Sequence, residues 1–186
     1  MIKNETRDEI NMAGLTHLAV GIAYKKLVPR ISVWILIVGA YLIDVLFLGF
    51  MVVGIESPPV NGQTGSAPWS HSLFMAIIWS LLTALISYGV WHEQRISLSL
   101  GLLVFSHWII DFISQPMTYI FSDGSMPLLH PFGGAPSFGL GIWSTEMGVL
   151  LGEFGMLIIG LTIYLIVWRQ LRNGQEIEIK TVLSFQ

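Results

Sequence analysis

From Ile31 to Ile55 the chain runs through 25 residues with a single charge, Asp44. A helix crossing the hydrocarbon core of a bilayer takes about 20 apolar residues, so this stretch is long enough to span. The segments His71–Trp91 and Ile96–Phe121 have the same character, and Ser144–Trp168 is interrupted only by Glu146 and Glu153. Met12–Pro29 is shorter and carries Lys25 and Lys26 near its end. It reads either as a fifth span or as a helix lying at the interface. With 53% hydrophobic and 11% charged residues among 186, the chain lacks the polar coat of a soluble domain of this size. The expected fold is all-α, a single polytopic membrane domain of four to five transmembrane helices over residues 12–29, 31–55, 71–91, 96–121 and 144–168, with a cytoplasmic tail at 173–186.

Basic residues give this bundle a direction. The nine Lys and Arg are Lys3, Arg7, Lys25, Lys26, Arg30, Arg95, Arg169, Arg172 and Lys180, and none falls in 56–70 or 122–143. The positive-inside rule therefore places those two loops outside and Arg30, the Arg95 turn and the Arg169 tail in the cytoplasm. The polar, charged amino terminus is not expected to be a signal peptide. With no cysteine, thiolate metal sites, disulfides and cysteine nucleophiles are excluded.

An ionisable group at bilayer depth costs several kcal/mol unless it is paired, hydrated or metal-bound, so each one needs a reason. His107 and Asp111 stand at i and i+4 and share a helix face. At about 1.5 Å rise per residue, Asp44 lies roughly 20 Å from the cytoplasmic end of its span, His107 roughly 16 Å and Asp111 roughly 22 Å. His71 and Glu146 stand at the outer mouths of their spans. If Met12–Pro29 crosses with its start outside, His17 lies roughly 18 Å up. That shared level favours the spanning reading of the first segment. Three His with two or three carboxylates suit Zn²⁺, with Mn²⁺ or Fe²⁺ as alternatives, and a pair of ions is open. The metal-ligand candidates are His17, Asp44, His71, His107, Asp111 and Glu146. Asp111 or Glu146 is the candidate acceptor of a water proton.

Simpler readings compete at each position. A lone membrane His is commonly a hydrogen-bonded packing residue, and His107 with Asp111 can be an intrahelical pair. His92, beside Glu93, reads as a solvated turn residue, and His130 as part of the outer loop. Glu153 is a pairing residue, a proton carrier or a ligand. Trp69, Trp91, Trp143 and Trp168 read as interface anchors, and Gly101, Gly148, Gly152 and Gly155 as sites of close helix packing.

The motifs Thr16-His17-Leu18-Ala19-Val20-Gly21, Asp44, Ser70-His71-Ser72-Leu73, Ser106-His107-Trp108-Ile109-Ile110-Asp111 and Pro127-Leu128-Leu129-His130-Pro131-Phe132 resemble the bacterial membrane-bound, metal-dependent hydrolases of the YdjM-like family. The resemblance covers about residues 14–145. Many members carry a His-Arg pair shortly before the His71 motif; Gly65-Ser66-Ala67-Pro68-Trp69 has neither, so no role of that pair carries over. The order His17, Asp44, His71, His107, Asp111 and Glu146 also resembles that of zinc-dependent phospholipases C and fungal single-strand nucleases, which implies phosphoester hydrolysis. The expected function is thus a membrane metal-dependent hydrolase acting on a lipid or lipid-linked phosphoester in the outer half of the bacterial inner membrane. Membrane lipid is the expected partner, and nucleic acid is not. The rivals are a proton- or cation-relaying transport protein, a haem-binding anchor, and a metal-binding family member without turnover.

The topology is directly testable, because any introduced cysteine is unique. Gly62→Cys and Gly134→Cys should react with a membrane-impermeant thiol reagent in intact cells. Labelling of Gln94→Cys with protection of both others would invert the orientation.

Overall fold

The computed structural model describes residues 14–58, 65–114, 126–127, 137–142 and 145–183. Among them the chain forms helices α1 (Leu15–Ala23), α2 (Val33–Ala40), α3 (Leu42–Val52), α4 (Pro68–His71), α5 (Leu73–Trp91), α6 (Gln94–Ser114) and α7 (Glu146–Leu183). A 3₁₀ turn, Tyr24–Lys26, follows α1. Two-residue strands β1 (Met126–Pro127) and β2 (Ser137–Phe138) pair antiparallel. This is an all-α membrane bundle.

Three described helices, α5, α6 and α7, are long and apolar enough to cross a bilayer, and α2 with α3 makes a fourth if the bent pair is one span. Leu81, Leu85 and Ile86 of α5, Leu98 and Leu102 of α6, and Leu151 and Ile158 of α7 are exposed. Large apolar side chains in such numbers on the outside belong against lipid.

Several expected boundaries change. The 31–55 segment is not one straight helix: it breaks at Tyr41 and bends by 57°. Helices kink where a side chain enters the backbone ladder, and here His107 Nδ1 bonds the carbonyl of Ala40, the last residue of α2, at 2.8 Å. The Tyr41 hydroxyl turns instead to the carbonyl of Gly14. Among its described residues, the first segment is helical only over α1 and its 3₁₀ turn. The nine residues of α1 rise about 14 Å, less than half of a hydrocarbon core about 30 Å thick, so α1 does not cross by itself. His71 does not open its span. It ends α4, and the chain is extended at Ser72 before α5 starts. The last helix runs past Trp168 through most of the expected tail, to Leu183. Residues 12–13, 115–121 and 144 of the expected spans lie outside the described residues.

Helices α5 and α6 form a hairpin turned by His92 and Glu93, with His92 in the left-handed region at φ 53°. A Cβ at Gly101 would stand 2.8 Å from the Ser80 carbonyl oxygen, so this pair needs glycine there. One buried cluster (Val28, Ile31, Leu36, Ala40, Ile96, Leu100, Leu103) fills the bundle toward the α5–α6 turn, and another (Ile43, Ala67, Ala76, Val104, Trp108) fills the opposite end. The ionisable residues gather at that second end, which carries the loops without basic residues.

Helix α1 lies between α2 and α7, and its approach to α7 is tighter still. A Cβ at Gly160 would stand 2.4 Å from the carbonyl oxygen of Ala19, whereas one at Gly155 meets nothing within 4 Å. Gly160 is therefore a close-packing glycine of α7, and the expected Gly155 is not. Gly160→Ala should destabilise the protein in detergent by about 1–3 kcal/mol through forced separation of α1 and α7, with Gly155→Ala near wild type. Equal unfolding midpoints for the two variants would contradict this packing.

Candidate metal centre

Five of the six candidate ligands come together. His17 is the third residue of α1 and Asp44 the third of α3, immediately after the break. His71 closes α4, and His107 and Asp111 stand one turn apart on α6. His17 Nε2 lies 3.0 Å from Asp111 Oδ1, and His107 Nε2 lies 3.2 Å from Asp111 Oδ2. Asp44 Oδ1 is 3.5 Å from both His71 Nε2 and His107 Nε2, and His71 Nε2 is 3.8 Å from Asp111 Oδ2. The His17 and His107 rings stack with centroids 3.8 Å apart, and His71 meets His107 edge-on. The side chain of Glu146 lies outside the described residues, as does His130.

Hydrogen bonds on the far side of each ring decide what its near side presents. His107 Nδ1 faces the Ala40 carbonyl, which can only accept, so that nitrogen carries the proton. His71 Nδ1 lies 2.7 Å from Ser70 Oγ, whose one proton goes to Glu56 Oε2 at 2.8 Å in preference to the Ala67 carbonyl oxygen at 3.3 Å. Ser70 must therefore accept from His71 Nδ1–H. Both imidazoles then turn a bare Nε2 toward carboxylate oxygens. His107 Nε2 is buried without a hydrogen-bond partner. Lone pair facing lone pair at 3.2–3.5 Å is repulsive unless a cation lies between.

These groups fit a metal ion. Neighbouring ligands around a four-coordinate ion with bonds of about 2.05 Å are about 3.3 Å apart, close to the separations seen. Two triads, His17–Asp44–His107 and His71–His107–Asp111, have ligand atoms within 4.8 Å of one another. They share His107, whose free Nε2 serves one ion at a time. Neutral imidazoles with two carboxylates leave two negative charges, which a divalent cation would balance.

Four of the five clustered side chains are buried. The side chains of His17, His71, His107 and Asp111 are 3%, 3%, 0% and 7% exposed, whereas that of Asp44 is 40% exposed. Asp44 thus marks the opening.

Glu153 is no member of either triad. It is buried on α7 and accepts from the backbone N–H of Thr16 at 2.7 Å. That satisfies a donor at the start of α1, where the first turn has no partners of its own, and ties down the residue beside His17. His92 is exposed at the α5–α6 turn, bonded to the Tyr88 carbonyl and remote from the cluster. Sequence reasoning left Glu56 in the outer loop. It is instead buried and accepts from Trp69 N, Ser70 N and Ser70 Oγ at 2.7–2.8 Å. The available signal was an acidic residue directly after an apolar span.

Fold and site together define a polytopic helical membrane protein with a buried His/Asp cluster able to hold a metal ion. The chain belongs to the YdjM inner membrane protein family, whose family model matches residues 12–183. No curated protein and no solved structure matches it.

The role of Glu153 gives a graded expectation. Glu153→Leu strands the Thr16 N–H and should lower stability by about 1–3 kcal/mol. Glu153→Gln keeps a carbonyl acceptor and should lose much less. Equal unfolding midpoints for Leu and Gln in detergent would remove the trans-capping role.

Proposed function

We propose that the cluster binds a divalent metal, with Zn²⁺ the best match to imidazole nitrogens and carboxylate oxygens, and that the protein is a membrane-embedded metal-dependent hydrolase. Its substrate would be a phosphoester, lipid or lipid-linked, reached from the outer half of the bacterial inner membrane. The observation that carries the metal reading is the pair of bare Nε2 atoms, on His71 and His107, facing Asp44 and Asp111. The resemblance of the ligand order to that of zinc-dependent phospholipases C and single-strand nucleases supports the reaction class. The absence of basic residues from 56–70 and 122–143 supports the outer placement.

His71, His107 and Asp111 would hold the ion, with His17 fixing the second oxygen of Asp111 or entering through the other triad. A bound divalent metal supplies Lewis acidity at a phosphoryl oxygen and an acidified water at neutral pH. Asp111 has both oxygens against imidazoles, which suits a ligand better than a base. Asp44 stands at the opening, where a water and an incoming ester meet first, and its carboxylate takes the water proton. Next along α3, Val45, Leu48 and Val52 are exposed and offer an apolar face to the acyl or prenyl chain of such a substrate.

A second reading rests on the same distances. Without metal, protons on the imidazoles would make a buried His–Asp ion-pair network, as a proton- or cation-relaying protein needs. Metal per mole of protein separates the two. Wild type and His92→Ala should carry metal, and His107→Ala and Asp111→Ala should lose it, with non-additive losses because the ligands act together. Hydrolysis of a chromogenic phosphodiester and of a detergent-dispersed phospholipid should fall to background with the metal. Metal-free wild type from metal-replete, chelator-free preparation would discard the hydrolase and leave the relay.

A further inference from the structure

Glu56 is set apart from the ligand cluster, yet its carboxylate is fully engaged. One oxygen, Oε1, accepts from the backbone N–H groups of Trp69 and Ser70 at 2.7 and 2.8 Å. The other, Oε2, accepts from Ser70 Oγ at 2.8 Å. Ser70 Oγ in turn meets His71 Nδ1 at 2.7 Å. Reciprocal backbone bonds between Ser57 and Ser66, at 2.9 and 3.0 Å, close the neck of the intervening loop and hold Glu56 against α4. Glu56, Ser70 and His71 are all buried, so each donor and acceptor in this chain has to find its partner within it.

We propose that Glu56 is a positioning residue of the metal centre, acting through Ser70 to fix the His71 tautomer that offers a bare Nε2 to the ion. This rests on the metal reading above. A carboxylate has no proton to give, so the direction of the chain is forced: Ser70 Oγ–H points to Glu56, and His71 Nδ1–H points to Ser70. The proton is thereby kept off Nε2. Partners on the far ring nitrogen fix imidazole ligands in this way elsewhere, and their loss typically weakens metal binding about 10- to 100-fold.

The isosteric change Glu56→Gln reverses the chain. Two backbone N–H groups converge on the Oε1 position, so the amide must place its carbonyl there. Its NH₂ then faces Ser70 Oγ and donates to it. The Ser70 hydroxyl proton then has two acceptors left, His71 Nδ1 at 2.7 Å and the Ala67 carbonyl oxygen at 3.3 Å; the shorter contact takes it, and the ring proton moves to Nε2, where it blocks coordination. Ser70→Ala removes the intermediary, leaves the tautomer unconstrained and should cost less than Glu56→Gln. In the double variant the amide has no hydroxyl to turn, so binding should return to the Ser70→Ala level. A purely structural role for Glu56 predicts the opposite, since two packing defects accumulate.

The test uses the full-length chain in detergent, with Co²⁺ alone as the probe in competition with a chelator, and ¹⁵N-histidine NMR of the metal-free protein with His71 assigned by a His71→Asn variant. Glu56→Gln should weaken Co²⁺ binding about 10- to 100-fold, with the double variant recovering to the Ser70→Ala value. The His71 proton should move from Nδ1 to Nε2 in Glu56→Gln. A double variant no tighter than Glu56→Gln, or an unmoved His71 proton, overturns the proposal even if wild type binds Co²⁺ well. If the proton moves as stated in Glu56→Gln while wild type fails to bind Co²⁺, the control of the His71 tautomer by Glu56 through Ser70 stands and the metal reading alone falls.

Discussion

Two carboxylates set among three imidazoles at one end of an apolar bundle impose the strongest constraint on this molecule. Asp111 is almost wholly buried, and Asp44 is only partly exposed. Charge in such a place is tolerated only when it is compensated by ion pairing, hydrogen bonding or a bound cation. Much of the local architecture serves that compensation. The bent α2–α3 pair brings Asp44 beside His107, and the turn at Ser72 lets His71 arrive from a helix of its own.

Helix α1 shows how a short element is held at such a site. It is too short to be anchored by crossing the membrane, so its place depends on neighbours. Gly160 lets α7 come against the Ala19 backbone, Glu153 takes the Thr16 N–H, and the Tyr41 hydroxyl takes the Gly14 carbonyl. Each contact sits within a few residues of His17. The long α7 contributes no ligand to either triad, yet it sets where one of the imidazoles stands.

The break at Tyr41 links fold to chemistry. Irregular backbone at membrane depth survives where protein groups satisfy it, and the Ala40 carbonyl at the end of α2 is satisfied by a histidine from α6. One hydrogen bond thus completes a helix end and chooses the tautomer of His107. The same economy recurs at Glu56, which satisfies the first N–H groups of α4 while directing Ser70 and His71.

The sequence by itself determined that this is a helical membrane protein, because runs such as 31–55 and 71–91 have no soluble alternative and periodic burial is not needed to see them. It also determined which polar residues would have to meet, since His17, Asp44, His71, His107 and Asp111 each need a reason for lying at apolar depth. The i, i+4 spacing of His107 and Asp111 is a local property, and it was legible as such. Hydropathy averages over a window, and so it could not register a break made by one side chain entering the Ala40 carbonyl. It drew 31–55 as one helix and left the first segment open between a span and an interfacial helix. Glycine contacts depend on what lies opposite, which is why Gly155 was chosen and Gly160 overlooked. Glu56 looked like a loop residue because nothing in its neighbours reveals that the chain folds back from Ser66 onto it. Only the tertiary structure decided these points, for they rest on pairings between residues far apart in the chain, and their energies exist only once the helices have packed.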